Sequence, residues 1–195
     1  MSEPVTYTQH SKAVRELLQL HKEGRLKLDP PFQRRSVWSP KQRKHLMASI
    51  FEGFPIPSIF FYRHQDKATG KAIFEVIDGK QRIASLLMFT GQGGEIFPAP
   101  VMSPDWEGPR ILNWIELRKM KKQGLLEEFQ VQIIEVTGVL SDIIKLFVRI
   151  DSAGSALTSA EVKNASFYES AFLKSAKTTA AKYVDYLLSA KCHWQ

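Results

Sequence analysis

The chain has 195 residues, 44% of them hydrophobic and 24% charged, which suits one full domain or one domain and the start of a second. Its single cysteine, Cys192, excludes an internal disulfide and any cysteine-based zinc cluster. No apolar run approaches a membrane span, and Met1-Ser2-Glu3-Pro4 lacks the basic and apolar segments of a signal peptide, so a soluble cytoplasmic protein is expected. The net charge of +7 is unevenly spread: residues 1–45 hold 10 Lys/Arg against 4 Asp/Glu, and the rest hold 17 against 16. A concentrated basic patch attracts phosphate, whether in nucleic acid or in a nucleotide; the alternative is a solvated basic surface.

The first predicted helix runs from Ser11 to His21, with Val14, Leu17 and Leu18 at helical spacing, Ser11 as cap and Gly24 as stop. Leu26 to Gln33 reads as extended, because Pro30-Pro31 cannot sit inside a helix. Ser39-Pro40 opens a second helix, serine at the cap and proline at the first helical position. Leu46, Met47, Ile50 and Phe51 form its buried stripe. Lys41, Arg43 and Lys44, with Arg34 and Arg35 just before them, place positive charge at the helix start, where the dipole disfavours it. A site that wants an anion there explains the arrangement, and so do tolerated surface charges. Arg35, Lys41, Arg43 and Lys44 are the candidate nucleic-acid contacts.

Gly53-Phe54-Pro55-Ile56-Pro57 ends that helix. Ile59 to Arg63 and Ile73 to Ile77 read as two strands of a hairpin, joined by the polar segment Gln65 to Lys71. A one-glycine turn then leads into an amphipathic helix whose core face is Ile83, Leu86 and Leu87, closed by Gly91. Residues 91–110, rich in Gly and Pro, read as an irregular loop, and Phe129 to Val136 as a third strand. Ser141 caps a further helix, Asp151-Ser152-Ala153-Gly154 is a turn, and Thr158-Ser159-Ala160-Glu161 is a capping box for helix continuing to Ala190. The apolar stripe Tyr183, Tyr186, Leu187 and Leu188 points either to association of subunits or to a packing partner further along the chain. Two parts are expected: residues 1–140 as the main domain and 141–195 as a helical extension, read as the start of a truncated second domain.

The turn Asp78-Gly79-Lys80-Gln81-Arg82 carries the chemistry. A strand, a tight turn and a helix N-terminus recur where phosphate is held, because the first helical N–H groups lack intrahelical partners and the dipole favours an anion. Arg82 offers a bidentate fork to phosphate oxygens, Gln81 can orient a water, and Asp78 can hold a cation. The bland alternative makes Asp78 a helix cap and Arg82 one half of a surface ion pair. His10, His21, His45, His64 and His193 are scattered singly, without metal-ligand spacing, so no metal site built from protein ligands is expected.

Four ordered pieces combine: Pro31-Phe32-Gln33-Arg34 through Trp38 with its helix; Phe54-Pro55-Ile56-Pro57; Val76-Ile77-Asp78-Gly79-Lys80-Gln81-Arg82; and Phe147-Val148-Arg149-Ile150-Asp151-Ser152-Ala153-Gly154 with Leu157-Thr158 and Glu161. Together they resemble the N-terminal domain of GmrSD-type modification-dependent restriction proteins, in the ParB/sulfiredoxin-like superfamily. The resemblance implies an α+β fold, a small mixed sheet with flanking helices. It implies a domain that binds and hydrolyses a nucleoside triphosphate and couples hydrolysis to DNA cutting by a nuclease domain or subunit. Carried over, Asp78, Gly79, Gln81 and Arg82 match the nucleotide loop, Gln33 and Arg34 match a Gln-Arg pair beside it, and Ser152 and Gly154 match a second turn. Asp78, Gln81 and Arg82 are the catalytic candidates; Gln33, Arg34, Gly79, Lys80, Arg82, Ser152 and Gly154 are the nucleotide-binding ones. Lys80 stands where glutamine is common, which suits phosphate binding but puts hydrolysis in question. Mg²⁺ is inferred from triphosphate chemistry rather than from a carboxylate cluster. The alternative function is a nucleotide-gated module for DNA or a partner, without turnover; a nuclease in its own right ranks last for want of paired carboxylates.

Overall fold

A five-stranded mixed sheet forms the frame, in the order β1-β7-β3-β4-β2. The computed structural model describes residues 4–28, 38–139 and 142–143, and these fall within one compact unit bounded at Ile143. The elements in chain order are β1 (Thr6–Ala13), α1 (Val14–Lys22), β2 (Leu26–Lys27), α2 (Pro40–Phe51), β3 (Ile59–Gln65), β4 (Ala72–Asp78) and α3 (Lys80–Phe89). Then come β5 (Ala99–Val101), β6 (Arg110–Leu112), α4 (Trp114–Lys119), α5 (Gly124–Glu127) and β7 (Gln130–Thr137). The fold is α+β, as the sequence implied.

The central strands are the most apolar. Ile59, Phe61, Val76, Val131 and Ile133 are buried on the middle three strands. β3 and β4 form the expected antiparallel hairpin, and Asp66 closes its turn by accepting from the Ala68 and Thr69 amides. β7 joins β3 in parallel, with Ile59 opposite Ile133. α2 begins at Pro40 under a Ser39 cap and buries Leu46, Met47, Ile50 and Phe51, as its spacing dictates. Ser39 N donates to Gln42 Oε1 at 2.9 Å, and Gln42 N donates back to Ser39 Oγ at 3.4 Å.

Two expectations are corrected. Residues 6–13 form β1, so Ser11 is not a helix cap: it lies opposite Gln132 in the antiparallel ladder with β7. That ladder fixes the backbone through Ala13, and α1 begins three residues later than expected. Glu16 Oε2 accepts from Ala13 N at 2.7 Å in place of a serine cap. The second correction concerns residues 91–110, which are not wholly irregular. β5 pairs antiparallel with β6, Ala99 opposite Leu112, and Asn113 caps α4 by accepting from Ile115 and Glu116.

α3 is held firmly at its far end. Phe89, fully buried, meets Phe51 and Phe97 at 5.7 Å each and Trp114 at 6.2 Å, all in edge-on geometry. Such contacts add about 0.5–1.5 kcal/mol each beyond burial. The helix that leaves the Asp78 turn is therefore a fixed rod rather than a loose appendage. The expected helices and turn beyond residue 143, and the stripe at Tyr183 to Leu188, lie outside the described residues.

Candidate functional site

β4 delivers Asp78 to the edge of the turn, and α3 takes the chain away after one glycine. Gly79 has φ 91° and ψ 12°, the left-handed region, where a residue with a Cβ is strained. Space forbids one as well. A Cβ at Gly79 would lie 2.9 Å from Ile59 Cγ1, 3.1 Å from Ile59 Cγ2 and 3.0 Å from Arg82 Nη2. Ile59 is itself fully buried, so it cannot yield. Beside the turn the β3–β4 register shifts between Phe60 and Phe61, and Phe60 lies opposite Asp78. Such bulges re-aim strands near sites.

Arg82 folds back over this turn. Its Nη2 donates to Asp78 Oδ2 at 2.7 Å and to the Ser58 carbonyl oxygen at 3.2 Å. The arginine side chain is 14% exposed and the aspartate side chain 46%. Arg82 Nε is buried without a hydrogen bond. This is an ion pair, as the bland alternative had it, but on the arginine side it is not a surface one. Asp78 is not the helix cap: that position belongs to Gly79, which has no side chain to offer. The result is a guanidinium pre-positioned at a helix N-terminus, next to a carboxylate that still faces solvent.

Lys80 and Gln81 follow in the first turn of α3, both half-buried, and both are engaged in interactions of their own. The Gln81 carbonyl accepts from Ser85 Oγ at 2.7 Å, which stiffens the first turn. The structure thus brings Asp78, Gly79, Lys80, Gln81 and Arg82 together at one turn. Lys41, Arg43 and Lys44 sit in the first turns of α2, Lys41 and Lys44 exposed and Arg43 half-buried. Gln33, Arg34, Arg35, Ser152 and Gly154 lie outside the described residues. Among the described residues, no group of three or more His, Cys, Asp or Glu side chains is placed to hold a metal, and no helix is long and apolar enough to cross a membrane.

One cluster escaped the sequence reading. Arg15 and Lys22 of α1 and Arg118 of α4 line a common cavity of about 860 Å³ at the opposite end of α3. Arg118 is about a hundred positions from the two α1 cations in sequence. The charge census counted Arg15 and Lys22 in the first quarter of the chain but could not pair them with Arg118, whose segment is nearly neutral.

The family model for the GmrSD restriction endonuclease N-terminal domain matches residues 14–168. No curated protein matches the chain. The match spans β4, the Asp78–Arg82 turn, α3 and the rest of the sheet except β1, so it covers the site as well as the frame. The chain belongs to the family of GmrSD restriction endonuclease N-terminal domains, part of restriction-type systems that target DNA.

Proposed function

We propose that the Asp78–Arg82 turn binds a nucleoside triphosphate and hydrolyses it, as the nucleotide-dependent part of a DNA-targeting restriction system. The observation that carries the reading is Gly79: a left-handed glycine with no room for a Cβ, opening a helix whose first turn holds Arg82 over the same turn. Backbone can approach phosphate closely there, and N–H groups and guanidinium converge on one spot. Phosphoryl transfer asks little covalent work of a protein, so positioning and charge suffice. Arg82 and Lys80 would neutralise phosphate oxygens, Gln81 would orient water, and Asp78 would contact that water or a cation. One solvent-facing carboxylate suits a Mg²⁺ ion that keeps most of its waters and arrives on the triphosphate. Bound there, the ion would supply charge neutralisation. Lys41, Arg43 and Lys44 would contact DNA from α2.

A second reading rests on the Asp78–Arg82 pair itself. With Arg82 engaged at 2.7 Å, an arriving phosphate would have to displace a carboxylate, and the domain would act as a nucleotide-gated switch without turnover. Equilibrium binding of ATP, GTP, CTP and UTP with Mg²⁺ to wild type and Arg82→Ala tests the shared premise. A charge-assisted hydrogen bond is worth about 1.5–3 kcal/mol, so the variant should bind about 10- to 100-fold more weakly. Equal affinity in both proteins would refute a phosphate role for Arg82.

A further inference from the structure

The cavity between α1, α4 and the C-terminal end of α3 has a chemistry that the Asp78 turn does not account for. Three cations, Arg15, Lys22 and Arg118, face one carboxylate, Glu127, across about 860 Å³. Among the described residues none of the four takes part in an ion pair. Cations gathered without carboxylate partners repel one another, and an anion between them removes that repulsion. The volume falls within the range of ligand pockets, roughly 300–1,000 Å³.

Two buried polar atoms lie just behind the cavity wall. His21 Nδ1 and Gln123 Oε1 are both buried and make no hydrogen bond, and both residues line the cavity. Buried polar atoms are seldom left in that state. Turned toward the cavity, the imidazole and the amide would offer hydrogen bonds of the kind that nucleobase edges use. Trp114 lines the same space and supplies apolar wall, its ring fixed against Phe89. α3 spans ten residues, about 15 Å at 1.5 Å per residue, so this cavity lies at the other end of the helix from Arg82.

We propose that this cavity is a second phosphate site, shaped for one nucleotide unit: Arg15, Lys22 and Arg118 take the phosphate, and His21 and Gln123 meet the base beside Trp114. The same chemistry is offered by a free nucleotide and by a nucleotide within DNA, and the test separates them. Binding of deoxythymidine monophosphate and of a 12-nucleotide single-stranded DNA is measured by calorimetry at low salt. The proteins are wild type, Arg15→Ala/Arg118→Ala, Arg15→Lys/Arg118→Lys and Lys67→Ala/Lys71→Ala. All four substituted cations outside the Asp78 turn are exposed, so folding is expected to survive, as thermal melting verifies. At least a tenfold loss in the double alanine variant is expected, with Lys67→Ala/Lys71→Ala near wild type and partial rescue by lysine. Loss for the monophosphate assigns a free-nucleotide site. Loss for the oligonucleotide alone assigns a DNA site, with a shallower salt dependence in the variant. Binding of neither probe, equal binding by wild type and the double alanine variant, or an equal loss in Lys67→Ala/Lys71→Ala would overturn the proposal. The Asp78 turn is read out separately, by nucleoside triphosphate binding to Arg82→Ala, so failure here leaves that reading standing, and the reverse.

Discussion

Replacing Gly79 by alanine tests whether the Asp78 turn is built as described. Two costs are expected. Holding alanine near φ 91° costs about 1–2 kcal/mol. The new Cβ would also stand 2.9 Å from Ile59 Cγ1 and 3.0 Å from Arg82 Nη2. The arginine can move, but Ile59 is fully buried on β3, and overpacking a core residue costs about 1–3 kcal/mol. The sum is about 2–5 kcal/mol, a large share of the roughly 5–15 kcal/mol that holds a domain together. Urea denaturation measures it directly. Ile59→Ala separates the two costs. Alone it should destabilise by about 2–5 kcal/mol through the cavity it leaves. Combined with Gly79→Ala, the new methyl enters that space, so the double variant should be more stable than the sum by about 1–3 kcal/mol. A Gly79→Ala cost below about 1 kcal/mol, or strict additivity with Ile59→Ala, would refute the argument that close approach to β3 demands glycine.

Other expectations follow from single contacts. Asp105 accepts from Lys122 Nζ at 2.8 Å and from the Ser103 hydroxyl, and these bonds, Lys122 first, hold its carboxyl at about 2 against an ordinary 3.8. A depressed folded pKa means stability present above pH 3.8 and lost as pH falls toward 2, so Asp105→Asn should flatten the acid limb between about pH 4 and 2, read by thermal melting across pH. An unchanged acid limb would show that the pair does not form in solution. Ser39→Ala removes the α2 cap and should cost about 0.5–2 kcal/mol in urea denaturation, with m unchanged. Phe89→Ala empties the centre of the aromatic cluster and should cost about 3–5 kcal/mol in the same assay.

What was legible in the sequence was what local pattern determines. Ser39-Pro40 with its apolar stripe gave α2 to the residue at its start, and the hairpin of β3 and β4 followed from two apolar runs flanking Asp66-Lys67-Ala68-Thr69-Gly70. The turn at Gly79 was legible because a glycine between a buried strand and an amphipathic helix leaves few conformations. β1 was not, for a physical reason. Thr6 to His10 are exposed or half-buried, so no alternation marks them, and the strand exists because β7 pairs with it across more than a hundred residues. β5 and β6 have three residues each, too short for a periodic signal. α4 could have been found, since Asn113 with Glu116 three residues on is a capping box. The fate of Arg82 was divided: its place at the turn was readable, whereas its bond to the Ser58 carbonyl depends on how β3 is led into the sheet. The cavity cations Arg15, Lys22 and Arg118 were invisible because only tertiary packing brings α1 beside α4.

Phosphate release from ATP, GTP, CTP and UTP in the presence of Mg²⁺, by wild type and by Arg82→Ala, tests the proposed function most directly. Steady release by wild type on at least one nucleotide, abolished in a folded Arg82→Ala variant, is the expected result and identifies the base. No release with any of the four by a folded wild-type protein, or equal release by both proteins, would contradict hydrolysis at the Asp78–Arg82 turn.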